Sequence, residues 1–400
     1  MSPRSRYALQ RFAFQSYSTD FNPCIIPAVP LPHPEFWTID PVKIKTFPKI
    51  KIRFLDALLL ASLLAAAAWA LGASPILIFI LACVGLIPLA DQMGTATEIL
   101  AARTGPRVGG LLNATLGNAA ELIITLVAIR EGYLELAKAS ITGSIIGNLL
   151  LVLGVSLLAG GIKNGTQRFS SDTASRYATL LALAVVALSV PSLFGQSAGS
   201  LDSVHVEYLS LGVAGAMMLI YILSLIYSLS EKNGVIPPPV EELAHPKGSL
   251  RNALIRLGLA TAGVVVLSEI LVGVIEPVIA ASGVSEFFLG IILVPVIGNV
   301  AEHFVAVDVA LRDHLELSLE VALGSCLQIA LLVAPLLVFA SLAMGHPLTL
   351  VFNTFEVISV VAGVAVVALI AADGRSNWLE GSVLVAVYAI LAWAFFLLPV

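Results

Sequence analysis

Charge is scarce in this chain of 400 residues: only 12% are Asp, Glu, Lys or Arg, whereas 58% are hydrophobic. With a mean hydropathy of +0.98, that excludes a soluble globular protein and marks a polytopic membrane protein. Cysteine is nearly missing as well. Cys24, Cys83 and Cys326 lack any metal-ligand spacing, and two of them fall in apolar runs. This excludes a thiolate metal centre or a disulfide framework and leaves them as small apolar residues. A net charge of −5 offers no basic surface for nucleic acid. There is no secretory signal pattern.

What is there, instead, is apolar length. Residues 57–90 carry no charge. As one helix they would stretch about 51 Å, against a hydrocarbon core of roughly 30 Å, so the chain must fold back, and Gly72-Ala73-Ser74-Pro75 is the expected place. The same reading gives an all-α fold of about eleven transmembrane helices. The spans are expected at 54–72, 75–92, 107–130, 133–160, 174–194, 205–229, 252–280, 284–311, 315–341, 348–372 and 378–398.

Basic residues follow that threading. Of the 21 Lys and Arg residues, 19 fall on the side of the N-terminus and only Arg130 and Lys138 on the other. One missed span would scramble that asymmetry, and it places the N-terminus in the cytoplasm. Residues 1–53 read as a polar, Pro-rich, disordered cytoplasmic tail, or else as an organellar targeting segment. The loop at 230–251, with Pro237, Pro238 and Pro239, reads as a cytoplasmic linker.

The chain also repeats itself. Gly117-Asn118-Ala119-Ala120-Glu121 returns as Gly298-Asn299-Val300-Ala301-Glu302, each trailed at the same distance by Gly-Ser, at Gly143-Ser144 and Gly324-Ser325. Aligned without gaps, residues 117–144 and 298–325 agree at nine of 28 positions. This is an internal duplication. The copies stand five spans apart, an odd offset, so they cross the membrane in opposite directions. Residues 73–229 and 252–400 are therefore expected to be two inverted five-helix repeats, with 54–72 an extra first helix. Secondary transporters have this architecture, and their sites lie at the midplane where the halves meet.

Glu121 and Glu302 should both lie near the membrane centre. An acidic residue there costs roughly 2.5–3.5 kcal/mol on insertion scales, and no Lys or Arg lies mid-span to offset it. Two compensations remain, a proton or a bound cation. A site able to use either is that of a cation/proton exchanger. Asn118 and Asn299 lie three residues before each Glu, on the same helical face. Gly117 and Gly298 are the expected places for the helix to open and expose carbonyls. Ser144 and Ser325 can add hydroxyls from the following spans, with Asn148 and Gln328 one turn further on.

This nearly all-oxygen set with two anionic charges suits calcium better than magnesium. Burial favours the neutral form of a carboxyl and a bound divalent ion favours the anion, so protons and metal compete, and a proton gradient can drive metal the other way. Calcium and protons are the cargo; no cofactor is expected, and the lipid bilayer is the partner.

Simpler readings stand beside these. A lone membrane Glu with an Asn nearby is often a hydrogen-bonding device between helices. Two antiparallel copies with matched partners weigh against that. His303 reads as a packing neighbour of Glu302 more readily than as a ligand. Glu98, just past the expected end of span two, and Glu269, within span seven, each follow a hydroxyl residue and precede Ile-Leu. They read as relays passing cations to the site, or equally as a solvated helix-end acid and a bundle hydrogen bond. Asp308, Glu320 and Glu356 read as interfacial or hydrogen-bonded within the bundle. Small-residue spacings such as Gly143 to Gly147 are close-packing positions.

These residues also carry a family resemblance. Gly109-Gly-Leu-Leu-Asn-Ala-Thr115, Gly117-Asn-Ala-Ala-Glu121, Gly143-Ser-Ile-Ile-Gly-Asn148, Gly298-Asn-Val-Ala-Glu-His303 and Gly324-Ser-Cys-Leu-Gln-Ile-Ala330 make the chain, from about Phe54 onward, resemble the CAX-type calcium/proton exchangers of the cation/calcium antiporter superfamily. The resemblance implies eleven helices in two inverted five-helix halves, with Glu121 and Glu302 binding calcium and exchanging protons. It also implies that Asn118, Asn299, Ser144, Ser325 and Gln328 line the site and that spans two and seven slide. Two features depart from the family. The central loop has only Glu231, Glu241 and Glu242 where some members carry an acidic helix, and Cys326 follows Ser325 where a small hydroxyl residue or Ala is commoner.

The expected function is expulsion of cytoplasmic calcium in exchange for protons. A sodium/calcium or sodium/proton exchanger on the same scaffold is the alternative, disfavoured because related sodium-coupled exchangers place a Pro before the acidic residue. An intramembrane metal-dependent hydrolase is more distant, since it wants a His-Glu-x-x-His or similar trio and only His303 stands near the site. The compact loops point to a bacterial inner membrane, with vacuolar or chloroplast membranes as alternatives.

Overall fold

The computed structural model describes residues 52–104, 106–197, 203–230 and 249–398. The expected N-terminal tail, apart from its last residues, lies outside this range, as do Cys24 and nearly all of the linker at 230–251. The described residues belong to one unit, Thr46–Val400.

Leu, Ala, Val and Ile dominate these runs, and in lipid a helix alone satisfies its own backbone. The described residues are accordingly helical almost throughout. They open with α1 (Ile52–Ala70), α2 (Pro75–Thr104), α3 (Pro106–Leu116) and α4 (Ala119–Arg130). Then come α5 (Leu134–Ile146), a π-helical turn at Gly147–Val152 and α6 (Leu153–Asn164), forming one continuous rod, then α7 (Ser171–Ser197) and α8 (Ser203–Ser230). The second half has α9 (Leu250–Gly273), α10 (Ile275–Ser282), α11 (Glu286–Phe288), a π turn at Leu289–Leu293, α12 (Val294–Gly298) and α13 (Val300–Leu311). It closes with α14 (Leu315–Gln328), a π turn at Ile329–Val333, α15 (Ala334–Met344), α16 (Thr354–Ala371) and α17 (Trp378–Leu397). Among the described residues the only strands are β1 (Gln167–Arg168) and β2 (Arg375–Ser376), which pair antiparallel.

Eight of these helices or rods are long and apolar enough to cross a membrane, and nine if α10 and α11–α12, bent by 115°, count as one. The other expected spans are interrupted or short. The third is split into α3 and α4 and the eighth into α11–α12 and α13, both at the Gly-Asn step. Three boundaries differ from expectation for local reasons. Nothing breaks α2 at residue 92, so it runs on to Thr104 and Glu98 is helical. Pro277 lacks the N–H that would reach Gly273, and the helix stops there with Val274 at φ −108°, ψ 3°. The tenth span starts at Thr354 because Asn353 and Glu356 form a reciprocal capping box.

The two repeat-matched rods occupy the centre. In α5–α6 and α14–α15, 72% and 61% of the apolar window is buried, against 44% or less in the others. Ile141, Ile145, Leu149 and Leu153 of one join Leu319, Leu323, Leu331 and Leu337 of the other in a single core. A second core gathers α1, α2 and α9 against α4. The Ser62 hydroxyl ties α1 to the Gly85 carbonyl of α2 at 2.9 Å.

Candidate cation site

Both Gly-Asn steps break their helices. Asn118 (φ −98°, ψ 22°) and Asn299 (φ −102°, ψ 7°) sit between the helical and extended regions, and each starts the helix that carries its Glu in the first turn. A short polar side chain tolerates that conformation and a neighbouring Gly permits it. Helix α4 thus presents Asn118 and Glu121 together, and α13 presents Asn299 and Glu302.

The two copies meet. Glu302 lies close enough to Glu121 for direct charge repulsion. Oε1 of Glu121 accepts the Ser144 hydroxyl at 2.5 Å and the Asn299 side-chain amide, which also donates to the Pro295 carbonyl at 3.2 Å. Around Glu302 the bonds form a chain. Asn148 donates to the Ser325 hydroxyl (2.9 Å), Ser325 to the Asn118 amide oxygen (3.2 Å), and Asn118 to the Gln328 amide oxygen (2.7 Å). Ser325 also approaches Glu302. Every residue expected at the centre is therefore brought together: Asn118, Glu121, Ser144, Asn299, Glu302, Ser325, Gln328 and, beside them, Asn148.

Oε2 of Glu121 and Oε2 of Glu302 are both buried and accept no hydrogen bond. Neither carboxylate has a Lys or Arg ion partner among the described residues. Orphaned anionic oxygens at such depth, surrounded by amide and hydroxyl oxygens, are what a hard cation or protons would satisfy. The donor set fits calcium. No three His, Cys, Asp or Glu side chains converge among the described residues.

The glycines do more than open helices. A Cβ on Gly298 would lie 2.6 Å from Cγ of Glu121, and one on Gly117 would lie 3.5 Å from Gln328 Oε1 and 3.6 Å from Glu302 Oε1. Gly298 thus makes room for the other copy's carboxylate, whereas at Gly117 the crowding atom is the Asn113 carbonyl one turn back, 2.8 Å from such a Cβ, and Glu302 stands at ordinary contact distance. Gly143 has a different task, because its missing side chain admits the Ile291 carbonyl. Gly324 has no such neighbour, its nearest being the Tyr177 hydroxyl at 3.9 Å.

Several secondary candidates stand apart. The His303 side chain is half-buried and makes no hydrogen bond with a described residue. Glu98 is exposed and makes none either. Glu269 is half-exposed and pairs with Arg130 at 3.1 Å. Glu356 accepts the Thr142 hydroxyl (2.7 Å) and caps α16, a bonded role inside the bundle. The Cys326 thiol donates to the Ile145 carbonyl at 3.5 Å. The π turns had no signal in the sequence. Two of the three, at Gly147–Val152 and Ile329–Val333, fall at matched places in the copies, directly after the Ser-bearing segments.

Comparison with known proteins agrees with this geometry. The chain is 42% identical over 363 residues to a Ca(2+)/H(+) antiporter of Synechocystis sp., covering 86% of this chain and 97% of that one. It is 42% identical over 326 residues to the Ca(2+)/H(+) antiporter ChaA of Bacillus subtilis, covering 80% and 92%. The structure of native YfkE superposes with a TM-score of 0.76 at 37% identity, over 86% of this chain and all of that one. The profile of the sodium/calcium exchanger protein family matches residues 74–230 and 252–397. This multi-pass membrane protein belongs to the sodium/calcium exchanger protein family.

Proposed function

We propose that the chain is a secondary active transporter exchanging calcium for protons by alternating access to the Glu121–Glu302 site. The observation that carries this reading is the pair of carboxylates, one from each copy of the duplication, each with a buried oxygen left unbonded. Relatives that are Ca(2+)/H(+) antiporters over nearly their whole length support it.

Ser144 and Asn299 hold Oε1 of Glu121, which leaves Oε2 to face the cation. Glu302 supplies the second charge, and the oxygens of Asn118, Ser325 and Gln328 complete the shell once their mutual hydrogen bonds yield. One divalent cation or two protons neutralise the pair equally, so a site of either occupancy can cross between states without carrying bare charge through the bilayer. Protons arriving from the acidic side displace calcium there. The fold we infer has eleven spans, an extra first helix and two inverted halves, with the N-terminus in the cytoplasm as the 19-to-2 division of basic residues supports. The bacterial relatives favour an inner membrane.

The test is reconstitution into vesicles with an acidic interior and no sodium. Calcium uptake is expected for the parent, collapsing when the pH gradient is dissipated. Glu121→Gln and Glu302→Gln should each abolish it. Unchanged uptake in both variants, or uptake requiring sodium, would overturn the proposal.

A further inference from the structure

The repeat extends beyond the site, to ion pairs at its two ends. Thr97-Glu98-Ile99-Leu100 on α2 matches Ser268-Glu269-Ile270-Leu271 on α9, and the C-terminus of α4 at Arg130 matches that of α13 at Leu311, with Arg312 one residue on. The two ends are not in the same condition. On one face Arg130 bridges from α4 to Glu269 of α9 at 3.1 Å, while also holding Glu131 at 2.9 Å. On the other, Arg312 is folded back on its own helix to Asp308 at 2.5 Å, and Glu98 is exposed and unpaired with any described residue. Each Arg therefore has a neighbouring acid to rest on, Glu131 or Asp308, and the repeat matches the acid that Arg130 reaches, Glu269, with Glu98 for Arg312.

We propose that Arg130–Glu269 and Arg312–Glu98 are alternative latches, one per face, and that this structure has the first closed and the second released. In the opposite state the helix pair α2–α9 shifts, Arg130 retreats to Glu131, and Arg312 leaves Asp308 for Glu98. Helices α1, α2 and α9 pack on one another in a core that meets α4 and α12 and reaches the central rods, among its buried members, only at Leu136 of α5, which leaves them able to shift together. Because the duplicated elements run oppositely, a contact made by one copy on one face is made by the other copy on the other face when the states exchange. The inference rests on the alternating-access reading proposed above.

A latch made in only one state biases the equilibrium between states, and the affinity seen from each face falls with the fraction of protein open to it. Arg130→Gln should lower the half-saturating calcium concentration at the Arg130 face and raise it at the other. Arg312→Gln should do the reverse, and the double variant should return near the parent. For solvated pairs the shifts should be about two- to fivefold. Calcium transport is measured with calcium at either face, in right-side-out and inverted membrane vesicles. A variant that merely loosens the fold would weaken both faces together. Shifts of the same sign at both faces, no shift, or no compensation in the double variant would overturn the latches. A parent unable to exchange calcium for protons would instead sink the proposed function.

Discussion

At the residue scale the site works by omission. Gly298 is small because Cγ of Glu121 occupies the place where a Cβ would be, at 2.6 Å. Gly298→Ala must push that carboxylate or part α4 from α13, and overpacking of this kind costs about 1–3 kcal/mol. Half-saturating calcium should rise roughly tenfold, the equivalent of about 1.4 kcal/mol, in a flux assay. Gly212→Ala, with nothing near its added carbon, should leave flux and affinity at parental values. Ser144→Ala is the complementary change, since it deletes a donor to Glu121 without adding volume. Hydrogen bonds to charged groups contribute about 1.5–3 kcal/mol, so calcium affinity should fall roughly ten- to hundredfold, and Ser144→Thr, which keeps the hydroxyl, should recover much of it. Equal affinities for the Ala and Thr variants would show that the hydroxyl holds nothing.

At the scale of elements, helices cross closely where side chains are missing. Helix α5 passes the π turn at Leu289–Leu293 with Gly143 against the Ile291 carbonyl and Gly290 against the Leu136 carbonyl, where a Cβ would lie 2.8 Å away. Gly143→Ala should lower the melting temperature in detergent and take transport with it, whereas Gly324→Ala, at the repeat-matched position, should leave the melting temperature unchanged. The two positions are identical in the sequence pattern and differ only in what the other half brings against them.

That is the general boundary of what could be read from the chain. Charge spacing and apolar length located most helices within a few residues, because lipid leaves the backbone no other means of bonding itself. The duplication brought out both Glu and both Asn residues and the hydroxyls behind them. The break at Val274 was legible in Pro277, but hidden were features set by tertiary crossings: the π turns, the reach of Glu121 into the space left by Gly298, and the diversion of Glu269 to Arg130. None of these changes the local apolar pattern, so no window along the chain could register them.

For the whole molecule, the cargo is also a clamp. Glu121 and Ser144 belong to one copy and Glu302 and Ser325 to the other, and the four helices that carry them, α4, α5, α13 and α14, include both halves of the central pair of rods. A calcium ion held by both carboxylates would therefore tie the halves together, and a ligand that binds only the folded protein stabilises it by about 2.7 kcal/mol at a hundred times its dissociation constant. Saturating calcium should raise the melting temperature by a few degrees, and a chelator should remove the gain. Protons compete for the same oxygens, so the gain should shrink as the pH is lowered. Glu121→Gln and Glu302→Gln should each abolish it, because either leaves a single anionic charge facing a divalent ion. Magnesium, which sheds its water reluctantly, should give a smaller gain at equal concentration. A calcium shift that survives in both variants would place the ion elsewhere, because each substitution removes one of the only two charges the buried site can offer.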